Sequence, residues 1–79
     1  MSKIPYVDST GQLSVEVHLK SAADVFLVDR INFARYNSGQ SFKYYGGHYK
    51  RTPVHISVTG SGRWYLIVRG TGQYQYRFY

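Results

Sequence analysis

The chain has 79 residues, with ten lysines and arginines against four acids, a formal net charge of +6, nine tyrosines and no cysteine. This length accommodates one hydrophobic core, so we expect a single domain over residues 1–79. The absence of cysteine excludes disulfides, thiolate catalysis and cysteine-based zinc sites.

The charges are distributed unevenly along the chain. All four acids precede Arg30, whereas the part from Arg30 to Tyr79 carries eight cations and no acid. This asymmetry is typical of a protein that binds an acidic surface, although a basic surface also serves solubility alone. No stretch approaches the ~20 apolar residues of a transmembrane helix, so we expect a soluble, cytoplasmic protein without membrane contacts.

The first third of the chain predicts two strands and a helix. Turn-forming residues at 8–11 precede Leu13–Leu19, where polar and apolar residues alternate as in a half-buried strand with His18 facing solvent. The apolar run Val25–Val28 predicts a central strand covered on both faces. Asp29 is a candidate N-cap for one or two helical turns.

The segment from Phe42 to Pro53 is rich in groups that make contacts. It contains three tyrosines, three cations, one histidine and the pair Gly46-Gly47. Two adjacent glycines between aromatic runs predict a hairpin with a two-residue loop. The tyrosines at alternate positions of such a hairpin divide between core packing and contact with a partner.

The last third alternates strands with glycine-rich turns. Val54–Val58 predicts a strand with His55 facing solvent, and residues 59–62 predict a turn. Residues 63–69 are apolar on both faces, which predicts a central strand with Trp64 in the core.

The chain then ends in a predicted loop and edge strand. Gly70-Thr71-Gly72 predicts a three-residue hairpin loop. Gln73–Tyr79 predicts an edge strand, with Tyr74, Tyr76 and Phe78 on one face, that can pair two copies as a homodimer. Together these elements predict an all-β fold, a small antiparallel β-sandwich of six to eight short strands. We expect at most one short helical turn, after residue 29.

Several strings resemble a small bacterial family known as domain of unknown function 1883. They are residues 24–29, 32–36, 43–47, 50–54 and 61–68, of which Lys-Tyr-Tyr-Gly-Gly at 43–47 is the most specific. The resemblance implies a CUB-like or prepeptidase-type jelly-roll sandwich. It also implies a domain that occurs alone or beside TIR-type domains in bacteria, and therefore a role in defence; it implies no activity.

The residue pattern does not favour an enzyme. Four scattered acids do not form the carboxylate cluster of a metal-dependent nuclease, and the glycine motifs lack the spacing of phosphate loops. We therefore expect no catalytic residues, no metal and no cofactor. A metal-independent ribonuclease stays open as a third hypothesis, with its acid and base drawn from His18, His48 and His55 and with Lys50 or Arg51 on the phosphate.

The favoured hypothesis is a non-enzymatic recognition module that binds a protein or other macromolecule with an acidic surface. Such a module would serve as an inhibitor or adaptor in conflict between bacteria and phages. The alternative is a nucleic-acid-binding protein, because tyrosines interleaved with cations also suit base stacking. The predicted partner-binding residues are Arg35, Lys43, Tyr44, Tyr45, His48, Tyr49, Lys50 and Arg51.

Overall fold

A computed structural model of the protein describes residues 4–70 and 72–79, which form one antiparallel sheet and one helix. The elements are β1 (Tyr6–Leu19), β2 (Ala23–Asp29), α1 (Arg30–Asn37), β3 (Tyr45–Tyr49), β4 (Val54–Arg69) and β5 (Tyr74–Phe78). The strands pair in the order β3-β2-β4-β1-β5, so β3 and β5 are the two edges. The all-β class and the antiparallel pairing are confirmed, and a helix does follow residue 29, but its eight residues exceed the single turn expected.

The ladder between β1 and β4 is the longest in the sheet. Its register runs without a bulge from the pair Tyr6 and Tyr65 to the pair Val17 and Val54. A straight strand of the length of β4 would extend roughly 50 Å, whereas the longest dimension of the molecule is 30 Å. Both strands therefore bend strongly, and the sheet folds over its own inner face.

Two of the predicted turns lie inside this ladder. Residues 8–11 belong to β1 and residues 59–62 belong to β4, with Gly11 opposite Gly60. Glycine permits a close bend without ending the hydrogen-bonded ladder, so these turn predictions are wrong. The structure accordingly has one open sheet of five strands, and the jelly-roll sandwich of six to eight strands is not confirmed.

The main core lies on the inner face of the folded sheet. The alternation of inward and outward side chains continues through the bend of β4. Alternate residues from both halves of the strand therefore reach this core. Trp64 is only 6% exposed, and its Nε1 donates a hydrogen bond of 3.1 Å to the Gly60 carbonyl, which confirms its predicted place in the core. The buried residues of this core are Leu13, Val15, Val17, Val25, Leu27, Val54, Ile56, Val58, Trp64 and Leu66.

A second hydrophobic cluster covers the outer face of β2 and β4. Phe26, Val28 and Ile67 are buried there beneath aromatic side chains of α1 and the following segment. The Phe33 ring stacks on Tyr65 with centroids 3.8 Å apart. The prediction that residues 25–28 form a strand covered on both faces is therefore confirmed.

Asp29 begins the helix as predicted. Its Oδ1 accepts hydrogen bonds from the backbone N and the side-chain Nδ2 of Asn32, each at 2.9 Å. Asn32 Oδ1 in turn accepts from the Lys43 backbone N at 2.8 Å. This chain of polar contacts joins the helix start to the segment that leads into β3.

The connection from β4 to β5 is not a hairpin. β5 pairs with β1, with Tyr74 opposite Leu19, so the hairpin predicted around residues 70–72 is wrong. Thr71 lies outside the described residues. A Cβ added to Gly70 would collide with Ala23 at the start of β2, and one added to Gly72 would collide with Ser21 of the β1–β2 connection. The two connections are packed too closely for larger residues.

Gly46 and Gly47 lie within β3, so the predicted two-residue hairpin loop is also wrong. Gly46 has a φ of 137°, and a Cβ at this position would overlap the carbonyl oxygen of Val25 on β2. A Cβ on Gly47 would meet nothing within 4 Å. Gly46, and not Gly47, is therefore required for the close approach of β3 to β2.

We expect Gly46→Ala to destabilise the protein by about 1–3 kcal/mol, because β3 must move away from β2 to relieve the overlap. Chemical denaturation measures this change in the free energy of unfolding. The neighbouring Gly47→Ala is the matched control and should remain within about 0.5 kcal/mol of the wild type. Equal effects of the two substitutions would contradict this account of β3.

Candidate functional site

The segment predicted to bind a partner is an edge strand and its two flanks. β3 pairs with β2 alone, through the register from Ala23 opposite Tyr49 to Leu27 opposite Tyr45. The alternation of β3 places Tyr45 and Tyr49 on the inner face and His48 on the outer face. The predicted site residues therefore do not share one face of the sheet.

The three tyrosines of the segment divide between packing and exposure, as the alternation predicts. Tyr49 packs against the main core. Tyr44 is 47% exposed, with its ring 4.3 Å from that of Phe26, and Tyr45 is 54% exposed, with its ring 5.9 Å from Trp64. Tyr44 and Tyr45 therefore keep substantial surface for contact.

Three exposed cations flank β3. Lys43 precedes the strand, and Lys50 and Arg51 follow it in the connection to β4. Within residues 4–70 and 72–79, none of the three lies within 4.0 Å of a carboxylate oxygen. Their charge is therefore available to an acidic partner.

The other two predicted site residues are placed differently. Arg35 belongs to the last turn of α1, where its charge complements the helix C-terminus. His48 Nδ1 donates a hydrogen bond of 2.8 Å to Oδ1 of Asp24 on β2. His48 is thus already paired with a carboxylate.

A cleft of about 470 Å³ opens where the segment approaches the helix start. Its walls combine aromatic rings with polar groups, an arrangement typical of ligand clefts. The lining residues are Asp29, Asn32, Phe42, Lys43, Tyr44, Tyr45 and Trp64.

A second group of polar residues lies on the outer face of β1, β4 and β5. Glu16 on β1 faces His55 on β4 and Arg77 on β5 in register, and His18 lies two residues further along β1. The Glu16 carboxylate lies 3.0 Å from His18 Nε2, 3.8 Å from His55 Nε2 and 3.6 Å from Arg77 Nη2. Tyr79 completes what we term the Glu16 cluster.

Tyr79 contacts two other members of this cluster, His55 and Arg77. Its hydroxyl shares a hydrogen bond of 3.3 Å with His55 Nδ1, and the Arg77 guanidinium lies 5.0 Å from the centre of its ring. The side chains of His18 and His55 are both 53% exposed, whereas that of Glu16 is only 21% exposed. The cluster therefore presents two accessible imidazoles around one shielded carboxylate.

The sequence pattern correctly predicted that His18 and His55 face solvent, but it did not predict that these two histidines lie beside the same carboxylate. Alternation also assigns Glu16 and Arg77 to outward positions, which was the available signal. The pairing of β1 with both β4 and β5 unites these four residues, and periodicity within one strand carries no information on pairing. His48, the other histidine of the ribonuclease hypothesis, lies instead beside Asp24.

A comparison with protein-family models matches residues 9–76 to the family described as Domain of unknown function (DUF1883). The chain belongs to this family. The match confirms the suspected resemblance and includes all of β2, α1, β3 and β4. No curated protein and no solved structure matches the chain.

Two kinds of feature are absent from the described part of the DUF1883 chain. In residues 4–70 and 72–79, no group of three or more histidines, cysteines or acids is arranged to hold a metal ion. In the same residues, no helix is long and apolar enough to cross a membrane.

Electrostatics favour the ionised form of two carboxyls on the sheet. The hydrogen bond from His18, together with the charge of Arg77, holds the pKa of Glu16 below its ordinary value. The hydrogen bond from Arg63 likewise lowers the pKa of Asp8. A carboxyl with a lowered pKa stabilises the fold above its unfolded pKa, and this contribution disappears as the pH falls through the folded pKa.

We expect Glu16→Gln to lower the melting temperature at neutral pH and to have progressively less effect as the pH falls below about 4. The reason is that the protonated wild-type glutamate loses the same ionic contacts that the variant lacks. Thermal unfolding followed from pH 7 downward measures the difference. Asp8→Asn should follow the same trend, and a constant difference at all pH values would contradict the proposed ionic contribution.

Proposed function

We propose that this DUF1883 chain is a recognition module that binds an extended, acidic segment of a protein partner along β3. The supporting observation is that β3 is an edge strand flanked by Lys43, Lys50 and Arg51, whose charges face no carboxylate among the described residues. A basic edge of this kind is suited to recognition by strand addition.

Backbone groups supply the affinity in this mode of binding. An edge strand leaves donors and acceptors on its free side unpaired, and an extended peptide satisfies them by continuing the sheet. The cations at both ends of β3 then select acidic side chains in the added strand. Charge complementarity of this type mainly accelerates association and determines which partner binds.

The exposed rings give the added strand an apolar contact. Tyr45 lies at the rim of the main core beside Trp64, and Tyr44 lies on the aromatic cluster of the outer face. An added strand at this edge would have side chains on both faces, so one face would meet Tyr45 and the other Tyr44. Tyrosine is well suited to both contacts because it combines a large ring with a polar hydroxyl.

Nucleic-acid binding is the alternative proposal. The same exposed rings and cations suit a single strand, whose bases stack on aromatic side chains. However, Tyr44 and Tyr45 lie toward opposite faces of the sheet edge, an arrangement that favours an added strand over one continuous stacking platform.

In the protein-binding proposal, the domain acts as an adaptor or inhibitor in conflict between bacteria and phages.

A peptide of alternating glutamate and valine provides a direct test, with a lysine–valine peptide of equal length as the control ligand. We expect the acidic peptide to bind in calorimetry and to slow hydrogen exchange of the β3 amides. Lys50→Glu should weaken this binding roughly tenfold, because it replaces attraction by repulsion at the end of the strand. Arg30→Glu changes the net charge equally on α1 and should leave the binding intact.

Three outcomes would overturn the proposal. They are equal binding of both peptides, binding that is insensitive to Lys50→Glu, and binding without protection of β3. Binding of oligonucleotides alone, with an affinity that falls steeply as salt increases, would instead support the nucleic-acid alternative.

The opposite edge of the sheet is β5, and self-association through it stays a prediction. Tyr79 N and O already exchange hydrogen bonds of 2.9 and 2.8 Å with Ser14 of β1, while the other side of β5 is the free edge of the sheet. Sedimentation equilibrium at high concentration tests this prediction, and a monomer mass would contradict it.

A further inference from the structure

The Glu16 cluster combines the groups required to cleave a phosphodiester without a metal. It has two exposed imidazoles, one arginine and a carboxylate that orients them, all on three adjacent strands. We propose that this cluster is a phosphodiester-transfer site that cleaves single-stranded RNA through the ribose 2′-hydroxyl. This activity is separate from the recognition proposed at β3.

The arrangement of the two imidazoles carries the proposal. His18 and His55 contact different oxygens of the same carboxylate, at 3.0 and 3.8 Å, from neighbouring positions of β1 and β4. A carboxylate in this position orients both rings and stabilises whichever one is protonated. Contact with one carboxylate places the two histidines on the same patch of the sheet, as a base and an acid for one phosphate require.

Arg77 supplies the positive charge that the reaction needs. Its guanidinium lies 3.6 Å from the Glu16 carboxylate and its side chain is 66% exposed, so it can also bind the phosphoryl oxygens of a ligand. Charge develops on these oxygens in the transition state, and a positioned cation stabilises it. Tyr79 keeps both His55 and Arg77 in place through the contacts described above.

The chemical step balances without a co-reactant. One histidine, in its neutral form, takes the proton of the 2′-hydroxyl while this oxygen bonds to the adjacent phosphorus. The bond from phosphorus to the 5′-oxygen breaks, and the other histidine, as imidazolium, gives its proton to the leaving oxygen. The products are a 2′,3′-cyclic phosphate and a 5′-hydroxyl, and solvent then restores the two protonation states.

The substrate class follows from the site and its surroundings. The nucleophile comes from the substrate itself, so RNA is cleaved and DNA is not. A cleft of about 530 Å³ borders His18 and Gln75 and gives room for a nucleoside beside the proposed phosphate position. The net charge of +6 attracts a polyanion to the surface.

A purely structural ion cluster is the opposing explanation. Exposed ion pairs of this kind usually contribute little to stability, so such a role predicts small effects of substitution on any measurement. The chain contains a matched comparison, because His48 is also exposed and also contacts a carboxylate, that of Asp24, at 2.8 Å. His48 lacks a second imidazole and an arginine in contact with that carboxylate among the described residues.

The test uses a fluorescent single-stranded RNA, the same sequence in DNA, and the RNA with every ribose 2′-O-methylated. We expect the wild-type protein to cleave only the unmodified RNA, in the presence of EDTA, and to produce 2′,3′-cyclic phosphate ends. His18→Ala and His55→Ala should each reduce the rate by about 100-fold or more. Ser57→Ala, two residues from His55 on the same face of β4, should cleave at the wild-type rate.

Thermal unfolding of each variant establishes that the fold is intact, and His18→Gln and His55→Gln preserve a polar side chain at each position. These conservative variants should remain inactive, because an amide neither accepts nor donates the proton. Lack of cleavage by the wild type, cleavage of the 2′-O-methylated RNA, or equal rates for wild type, His18→Ala and His55→Ala would each overturn the proposal. Binding of RNA without cleavage would overturn it as well.

Discussion

The pairing of β1 with β4 is the constraint on which the rest of the structure depends. Because the register continues without a bulge through Gly11 and Gly60, each strand keeps one face inward on both sides of its bend. Apolar residues from both halves of β4, such as Ile56 and Leu66, therefore meet in one core. A slip of one residue in this ladder would turn these side chains outward, so burial of the core and the register stabilise each other.

The same folding of the sheet separates two surfaces of different chemistry. At one edge, β3 carries cations that contact no carboxylate among the described residues, which suits recognition of an acidic partner. On the outer face of β1, β4 and β5, the Glu16 carboxylate is shared by His18, His55 and Arg77. The cations at the edge are therefore available to a partner, whereas the charged groups on the face contact one another. For this reason we propose that the edge binds a partner and that the face cleaves RNA.

Much of the strand content followed from the sequence, and most of the connections did not. Alternation correctly placed His18 and His55 outward and Trp64 inward, and composition identified the central strand at residues 63–69. Glycine-rich stretches misled the prediction at residues 59–62, because the same residue serves a tight turn and a bend within a strand. Whether such a glycine forms a turn or a bend depends on the strand that faces it, in this case β1. The local sequence carries no information about the facing strand.

The sequence by itself determined the strand faces, the helix cap at Asp29 and the excess of cations after Arg30, since each depends on neighbours along the chain. It also determined that the segment from Phe42 to Pro53 would expose some tyrosines and bury others. Only the tertiary structure decided that this segment is an edge strand and that Glu16 is shared by two histidines and an arginine. Strand order and register determine such contacts, and they arise from burial of the whole core at once.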